Sequence, residues 1–266
     1  MSKDNNKQDE IKKVEIALIS TISHQLRTPL SGIKWFLEML MKGNLDPKKQ
    51  KELLHDAHQS NERMIILVND LLNISKVKSG QLLIDPKATD IFKLTKDIIS
   101  EITPTIKRKG TKIELIKPSK SLAKTNTDPE LIRQVIINLI SNAIKYCPKG
   151  LIKIEITPKE KGIQFKISDN GVGIPKSQQK KIFEEFFRAD NAIEAEIDGS
   201  GLGLYLSKCI IEASGGKIWF DSKTKKETKN NEHGSCFYFT LPPQCIKWKR
   251  GKGGQKLIVK DIKKDL

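Results

Sequence analysis

The candidate chemistry of this chain begins at a histidine that is followed five residues later by a proline. The segment reads Ser23-His24-Gln25-Leu26-Arg27-Thr28-Pro29-Leu30 and lies within a long run of apolar residues at helical spacing. Proline lacks the N–H that would bond the carbonyl of Gln25, so we expect the helix to bend beside His24. A bent helix with a polar His-Gln-x-x-Thr face indicates a reactive imidazole. The alternative is a structural histidine on an ordinary amphipathic helix.

Four polar or glycine-rich motifs follow farther along the chain. They are, in order, Asn138–Tyr146 (NLISNAIKY), Asp169–Ile174 (DNGVGI), Phe183–Arg188 (FEEFFR) and Gly199–Leu204 (GSGLGL). Each motif alone is a weak signal, since short glycine patterns occur by chance. The last is neither a Walker loop, because no Gly-Lys-Ser/Thr follows, nor a Rossmann fingerprint, because no strand ends just before it. The four together, in this order and spacing, are specific.

With the histidine segment, these motifs closely resemble the catalytic region of sensor histidine kinases from about Glu15 to Pro242. The histidine segment matches the phospho-acceptor box of that family. The other four match its asparagine box, first glycine box, phenylalanine box and second glycine box. The resemblance implies an ATP-binding domain shared with gyrase, Hsp90 and MutL, the cofactors ATP and Mg²⁺, a homodimer, and a response-regulator receiver domain as partner.

The asparagine box places two amides on one helix face. Asn138 and Asn142 are four residues apart, and Mg²⁺ prefers oxygen ligands. We expect Asn142 to be the direct Mg²⁺ ligand with Asn138 beside it, Lys145 to reach phosphate oxygens, and Tyr146 to lie against adenine. The alternative for the two asparagines is a capping or solvent-facing role.

The first glycine box begins with a carboxylate at the end of a predicted strand. Asp169 can accept a hydrogen bond from the exocyclic amine of adenine, which selects adenine over guanine. Gly171 and Gly173 let the backbone turn tightly and approach the base. The alternative is a plain Asp-Asn-Gly turn.

The second glycine box leads into a predicted helix. Gly199, Gly201 and Gly203, with Leu202 between the last two, allow backbone N–H groups at the helix N-terminus to meet phosphates. The phenylalanines of Phe183–Arg188 are expected to anchor the base of a mobile lid over residues 189–200. Arg188 is expected to contact the phosphates or the partner helix.

Within this resemblance, His24 is the expected nucleophile and phosphate acceptor. Most of the family has an acidic residue after the histidine, which is credited as the base, whereas this chain has Gln25. An amide can orient the ring but cannot fully accept its proton, which puts the autokinase rate in question. Thr28 matches the position that orients water when such kinases act as phosphatases. The remaining histidines, His55, His58 and His233, are predicted to be surface residues.

The N-terminal region predicts two long helices, over residues 9–42 and 48–79. The second carries a heptad seam made of Leu53, Ala57, Ser60, Met64, Leu67, Leu71 and Ile74. A two-helix hairpin buries too little apolar surface to be stable alone. The sequence therefore predicts a homodimer in which two hairpins form a four-helix bundle around this seam.

From about residue 81 short β-rich runs alternate with helical patterns, which predicts an α+β sandwich with helices on one face of a sheet. The domains are expected at 1–80 (phosphotransfer hairpin), 81–243 (ATP-binding domain) and 244–266 (basic tail). Predicted strands are Lys112–Ile116, Leu151–Thr157, Gly162–Ser168, Lys217–Asp221 and Cys236–Leu241, and predicted helices are 89–108, 128–146, 175–186 and 201–214.

Composition excludes several classes of protein. The formal net charge is +16, but only six of the 48 basic residues are arginines, and the lysines are scattered. They are therefore interpreted as solvated surface that suits an acidic protein partner, and no nucleic-acid ligand is expected. A tail cluster around Trp248 is interpreted as a disordered extension, with a weak membrane or nucleic-acid contact as the alternative. The four cysteines show no C-x-x-C, which argues against a zinc site and against a disulfide framework.

The chain has no apolar run long enough to cross a membrane, and its N-terminus has no signal core. A cytoplasmic location is therefore expected, although relatives often carry a membrane-bound sensor upstream. The chain is then either a stand-alone kinase or an excised core. Two rival functions are kept: a pseudokinase that binds ATP and signals by conformation, supported by Gln25, and an ATPase that forms no phosphohistidine.

Overall fold

A computed structural model of the chain describes residues 2–118, 120–194, 199–228, 233–243, 249–250 and 257–258. The chain divides into two compact units, Met1–Leu72 and Asn73–Leu266. The helices are α1 (Ser2–Met41), α2 (Pro47–Lys78), α3 (Ile91–Lys109), α4 (Pro129–Tyr146), α5 (Asp190–Glu194) and α6 (Gly203–Ala213). The strands are β1 (Leu83–Ile84), β2 (Lys87–Thr89), β3 (Lys112–Ile116), β4 (Thr125–Thr127), β5 (Leu151–Lys159), β6 (Gly162–Asp169), β7 (Ile218–Lys223), β8 (Gly234–Leu241), β9 (Lys249–Arg250) and β10 (Leu257–Ile258).

The first unit contains α1 and most of α2, joined by a short turn. Asn44 adopts a left-handed conformation with φ of 59°, and the Asp46 carboxylate accepts a hydrogen bond from the backbone N–H of Lys49 at 3.0 Å, which caps the start of α2. The helix α1 continues through Pro29. A Cβ added to Gly32 would lie 3.8 Å from Ser60 Oγ, so α1 and α2 pack closely there. The predicted helical hairpin is confirmed.

The prediction that the heptad seam needs a second chain to cover it is wrong. Leu53 and Leu67 are only 3% and 5% exposed in the single chain, and Ser60 of the same seam lies opposite Gly32 of α1. The seam residues between them are half-buried without a second chain. Among residues 20–72, whose side chains the structure describes, the exposed large apolar residues form a different set: Leu30, Trp35, Leu37, Met41, Leu54, Ile65, Ile66, Val68 and Leu72.

The second unit is built on a five-stranded sheet in the order β3-β5-β6-β8-β7. Only β3 and β5 are parallel; the other neighbours are antiparallel. The helices α3, α4 and α6 contact this sheet, and α4 also contacts both α3 and α6. The core between the layers holds fully buried isoleucines and a stacked pair, Phe165 and Phe239, whose ring centroids are 4.7 Å apart. This confirms the predicted α+β architecture.

The segment before α4 carries strong signals for the start of a helix. Asp128 precedes Pro129 and accepts hydrogen bonds from the backbone N–H groups of Glu130 and Leu131, which starts α4. Its other oxygen accepts from the backbone N–H of Asp85 at 2.9 Å. These contacts fix the first turn of the helix that carries the asparagine box.

One predicted helix is wrong. Residues 175–186 form turns and a short 3₁₀ segment, Gln179–Lys181. The Gln179 side chain donates 2.9 Å hydrogen bonds to the carbonyls of Ile174 and Ser222, and Phe186 has a φ of 60°. These tertiary contacts and the left-handed residue override the local preference for helix. In the predicted lid, residues 190–194 form α5, and residues 195–198 lie outside the described residues.

The described part of the tail is also more ordered than predicted. Strand β10 pairs antiparallel with both β1 and β9, while Trp248 and most of the predicted basic cluster lie outside the described residues. A separate pair, β2 and β4, is antiparallel. Among the helices that the structure describes, none combines the length and apolar character needed to cross a membrane.

Candidate functional site

The predicted catalytic residues His24, Gln25 and Thr28 lie in the first unit, and the predicted nucleotide-binding residues lie in the second. His24 is exposed on α1, and Gln25 beside it is half-buried. The exposed Thr28 donates a hydrogen bond of 3.3 Å from its hydroxyl to the carbonyl of His24, one turn earlier. An exposed imidazole is accessible to an incoming phosphoryl group, unlike a histidine packed into a core.

The two asparagines of α4 lie on one helix face, as predicted, and contact each other. The amide nitrogen of Asn142 donates to Oδ1 of Asn138 at 3.5 Å, and the amide nitrogen of Asn138 donates to Ser207 Oγ at 2.9 Å. The oxygen of Asn138 is therefore occupied, while that of Asn142 is turned away from Asn138. An amide oxygen is a ligand that Mg²⁺ accepts, so this pair of side chains fits the predicted ion.

The second glycine box lies directly against the asparagine box. A Cβ on Gly203 would lie 2.2 Å from Oδ1 of Asn138, so only glycine fits without displacing that amide. Leu202 is buried and occupies the N-cap position of α6, where its apolar side chain offers the first N–H groups no hydrogen bond. Those N–H groups, at the positive end of the helix, can bind phosphate. Lys145 is exposed one turn from Asn142.

The backbones of the phenylalanine box and the second glycine box pack directly against each other. Gly201 has a φ of 74°, and a Cβ there would lie 2.6 Å from the carbonyl carbon of Phe186. Phe183 packs edge-on against Phe220 of β7, with ring centroids 5.8 Å apart. At Gly199, in contrast, an added Cβ would meet no atom within 4 Å. The phenylalanine segment therefore supports the glycine turn at the base of the predicted lid.

Asp169 is the most strongly perturbed acid of the site. It ends β6, and its Oδ1 accepts hydrogen bonds from the backbone N–H groups of Gly171 at 2.8 Å and Ser235 at 3.3 Å. Burial raises the pKa of its carboxyl from 3.8 to about 6, although these hydrogen bonds and the nearby imidazole of His233 act in the opposite direction. A half-buried carboxylate with one oxygen held by the backbone leaves the other oxygen for a ligand.

The predicted adenine and phosphate contacts Tyr146 and Arg188 lie near each other. Burial raises the pKa of the Tyr146 hydroxyl, and the positive charge of Arg188 opposes that rise. Both side chains are half-buried. The lid reaches the first glycine box through Asn191, whose amide nitrogen donates to the carbonyl of Gly173 at 2.9 Å. Tyr146, Arg188 and the two glycine boxes therefore belong to one connected region.

Sequence reasoning missed three polar residues of this region. Ser207 holds Asn138, and Ser235 holds Asp169. His233 was predicted to be a surface residue, but it is half-buried, and its Nδ1 lies 2.6 Å from the carbonyl oxygen of Gly171. His55 and His58 are exposed, as predicted. Ser235 is paired with Asp169 across β6 and β8, and His233 directly precedes β8, a register that the sequence pattern does not reveal.

Comparisons with known proteins agree with this geometry. Residues 127–244 match the family model described as histidine kinase-, DNA gyrase B- and HSP90-like ATPase. This assigns the second unit to the class of ATP-binding domains that those three groups share. Residues 15–80 match the His Kinase A (phospho-acceptor) domain.

Individual relatives and solved structures that resemble this chain are also histidine kinases. The sensor histidine kinase WalK of Bacillus subtilis (strain 168) is 34% identical over 245 residues, which are 90% of this chain and 38% of WalK. The structure of the Acinetobacter baumannii histidine kinase AdeS aligns with a TM-score of 0.63 at 25% identity, covering 82% of this chain and 97% of that one. The chain belongs to the sensor histidine kinases, and it contains the catalytic core of that family.

A complex provides the third comparison. The histidine kinase ThkA, solved with the response regulator protein TrrA, shares the fold with a TM-score of 0.65 at 23% identity, over 90% of this chain and 64% of ThkA. The chain spans well under half the length of WalK. The activity and partners of the whole protein are therefore proposals.

Proposed function

We propose that this chain uses ATP to phosphorylate His24 and then passes the phosphoryl group to an aspartate of a response-regulator receiver domain. The observation that carries this proposal is that one chain contains both an exposed histidine in a phospho-acceptor domain and an ATP-binding domain. In the latter, Asn138 and Asp169 are held by hydrogen bonds, and Gly203 packs against Asn138. An ATPase that forms no phosphohistidine would not need the phospho-acceptor domain that carries the exposed histidine.

The chemistry assigned to His24 is an in-line displacement. A ring nitrogen forms a bond to the γ-phosphorus while the bond from that phosphorus to the β,γ-bridging oxygen breaks, and ADP leaves with the electron pair. Phosphoryl transfer depends mainly on alignment and on neutralising charge. Gln25 is assigned the role of orienting the imidazole through its amide, and Thr28 that of orienting water in a phosphatase reaction.

The nucleotide contacts are assigned residue by residue. Asp169 accepts a hydrogen bond from the adenine amine, and Tyr146 lies against the base. Asn142 holds Mg²⁺ through its amide oxygen, with Asn138 beside it, and the ion supplies neutralisation of phosphate charge. The N–H groups that follow Gly201 bind phosphate. Lys145 and Arg188 add positive charge around the phosphates.

The partners proposed are a second copy of the chain and a receiver domain. The exposed apolar residues of α1 and α2 are the surface on which a second hairpin would complete a four-helix bundle. The solved ThkA–TrrA complex supports a response regulator as a partner, and a receiver's acidic pocket suits a chain with a net charge of +16.

The proposal is tested by labelling the protein with γ-³²P-ATP and Mg²⁺. A kinase of this class acquires label that is lost in acid and kept in base. Release of inorganic phosphate with no protein label would indicate an ATPase. ATP binding with neither label nor release would indicate the pseudokinase suggested by Gln25.

A further inference from the structure

The loop after Asp169 is held from several sides. The N–H of Gly171 donates to Asp169 Oδ1 at 2.8 Å, and the N–H of Val172 donates to the carbonyl of Tyr146 at 3.1 Å. A Cβ on Gly171 would lie 2.3 Å from that same carbonyl oxygen. The loop therefore lies tightly on the end of α4, and its geometry determines where the Asp169 carboxylate points.

His233 makes the contact on the opposite side of this loop. Its Nδ1 is 2.6 Å from the carbonyl oxygen of Gly171. A carbonyl oxygen can only accept, so Nδ1 carries the proton and donates. The two following residues also contact Asp169: a Cβ on Gly234 would lie 2.0 Å from the Asp169 carbonyl oxygen, and the N–H of Ser235 donates to its carboxylate. The start of β8 thus touches both Asp169 and its loop.

We propose that His233 is a positioning residue of the ATP site, which fixes the carbonyl of Gly171 and so holds the Asp169 carboxylate in place for adenine. This inference rests on the proposed function, because it assumes that Asp169 binds the base. His233 acts through the loop and is not assigned any contact with the nucleotide.

The same geometry makes His233 an electrostatic neighbour of Asp169. The positive charge of the protonated ring lowers the pKa of that carboxyl, against the effect of burial. Both residues line a cavity of about 370 Å³, together with Asp221 and Lys223 of β7 and Cys236 of β8. At the end of α4, the thiol of Cys147 also interacts with Asp169. Replacing the imidazole by a neutral donor should therefore preserve the hydrogen bond and remove the charge.

The test compares His233→Ala and His233→Gln with the parent chain. The readout is the affinity for a non-hydrolysable ATP analogue with Mg²⁺, measured by calorimetry from pH 5 to pH 8.5. We expect His233→Ala to bind about threefold to tenfold more weakly at pH 8, the effect of one lost hydrogen bond. His233→Gln should recover most of that affinity at pH 8, because its amide nitrogen can donate to the same carbonyl.

The matched control is His58→Ala, which removes an exposed histidine of α2 that lies 4.0 Å from Glu62 and should leave the affinity unchanged. The inference is overturned if the parent binds the analogue and His233→Ala binds equally well at every pH. It is also overturned if a folded His233→Leu variant, which fills the same space without a donor, binds the analogue as tightly as the parent, and this decides the matter even if the alanine variant does not fold. If the parent itself does not bind the analogue, the proposed function fails instead.

Discussion

Gly203 approaches Asn138 so closely that a Cβ on the glycine would lie 2.2 Å from the amide oxygen of the asparagine. Asn138 in turn donates to Ser207 one turn farther along α6. The helix that follows the second glycine box and the helix that carries the asparagine box are therefore joined at the point where the phosphates and the metal ion are proposed to bind.

The first prediction follows from that contact. Gly203→Ala should weaken binding of Mg²⁺-ATP about tenfold or more, because the amide of Asn138 must rotate and lose its bond to Ser207. Calorimetric titration with a non-hydrolysable analogue measures the effect. The control is Gly199→Ala in the same motif, where a Cβ would meet nothing within 4 Å and the loss should be far smaller. Equal affinities for the two variants would contradict the assigned packing role of Gly203.

Asn142→Asp should weaken Mg²⁺-ATP binding and slow the kinase. The change keeps an oxygen ligand but places a negative charge beside the phosphates and removes the N–H that donates to Asn138. Initial rates of autophosphorylation over a Mg²⁺ titration provide the measurement. A variant that works at the parent rate across the titration would show that Asn142 is structural.

The affinity for ATP should fall in acid because of Asp169. Its pKa is raised to about 6, so the carboxyl is ionised above that pH and protonated below it. Only the ionised form is a full acceptor for the adenine amine, so its contribution should be constant above about pH 6 and decline by up to about tenfold per pH unit below it. Asp169→Asn should bind weakly at all pH values and show a flatter profile. Because ATP titrates in both experiments, the difference between the affinity–pH profiles of the parent and of Asp169→Asn reports on Asp169 alone. Parallel profiles would count against the assignment of Asp169 as the adenine contact.

The dimer should depend on the exposed apolar residues of α2 and not on its buried seam. Ile65, Val68 and Leu72 follow a helical spacing and are 45%, 41% and 53% exposed in the single chain. Ile65→Glu should therefore give a monomer in analytical ultracentrifugation while the helical content is preserved. Lys51→Glu, an exposed polar change on the same helix, should remain dimeric. A parent chain that sediments as a stable monomer would refute the bundle.

The sequence predicted the helices and the central sheet well because these elements carry long periodic patterns and clear caps. The seam of α2 was recognised correctly as buried, but periodicity alone could not show whether Leu67 faces α1 or a second copy. The helix predicted for 175–186 failed because Gln179 is held by carbonyls from two other segments, which no local pattern reveals. His233 was missed for the same reason: its partner, Gly171, lies 62 residues away in the chain.

The central claim is that His24 carries the phosphate. The most direct measurement is phosphopeptide mapping of the protein after incubation with Mg²⁺-ATP at alkaline pH, followed by the same labelling of His24→Gln. The account predicts one acid-labile phosphate on the peptide containing His24 in the parent, and no label in the variant although the variant still binds ATP. Label of undiminished amount on another residue in His24→Gln would contradict it.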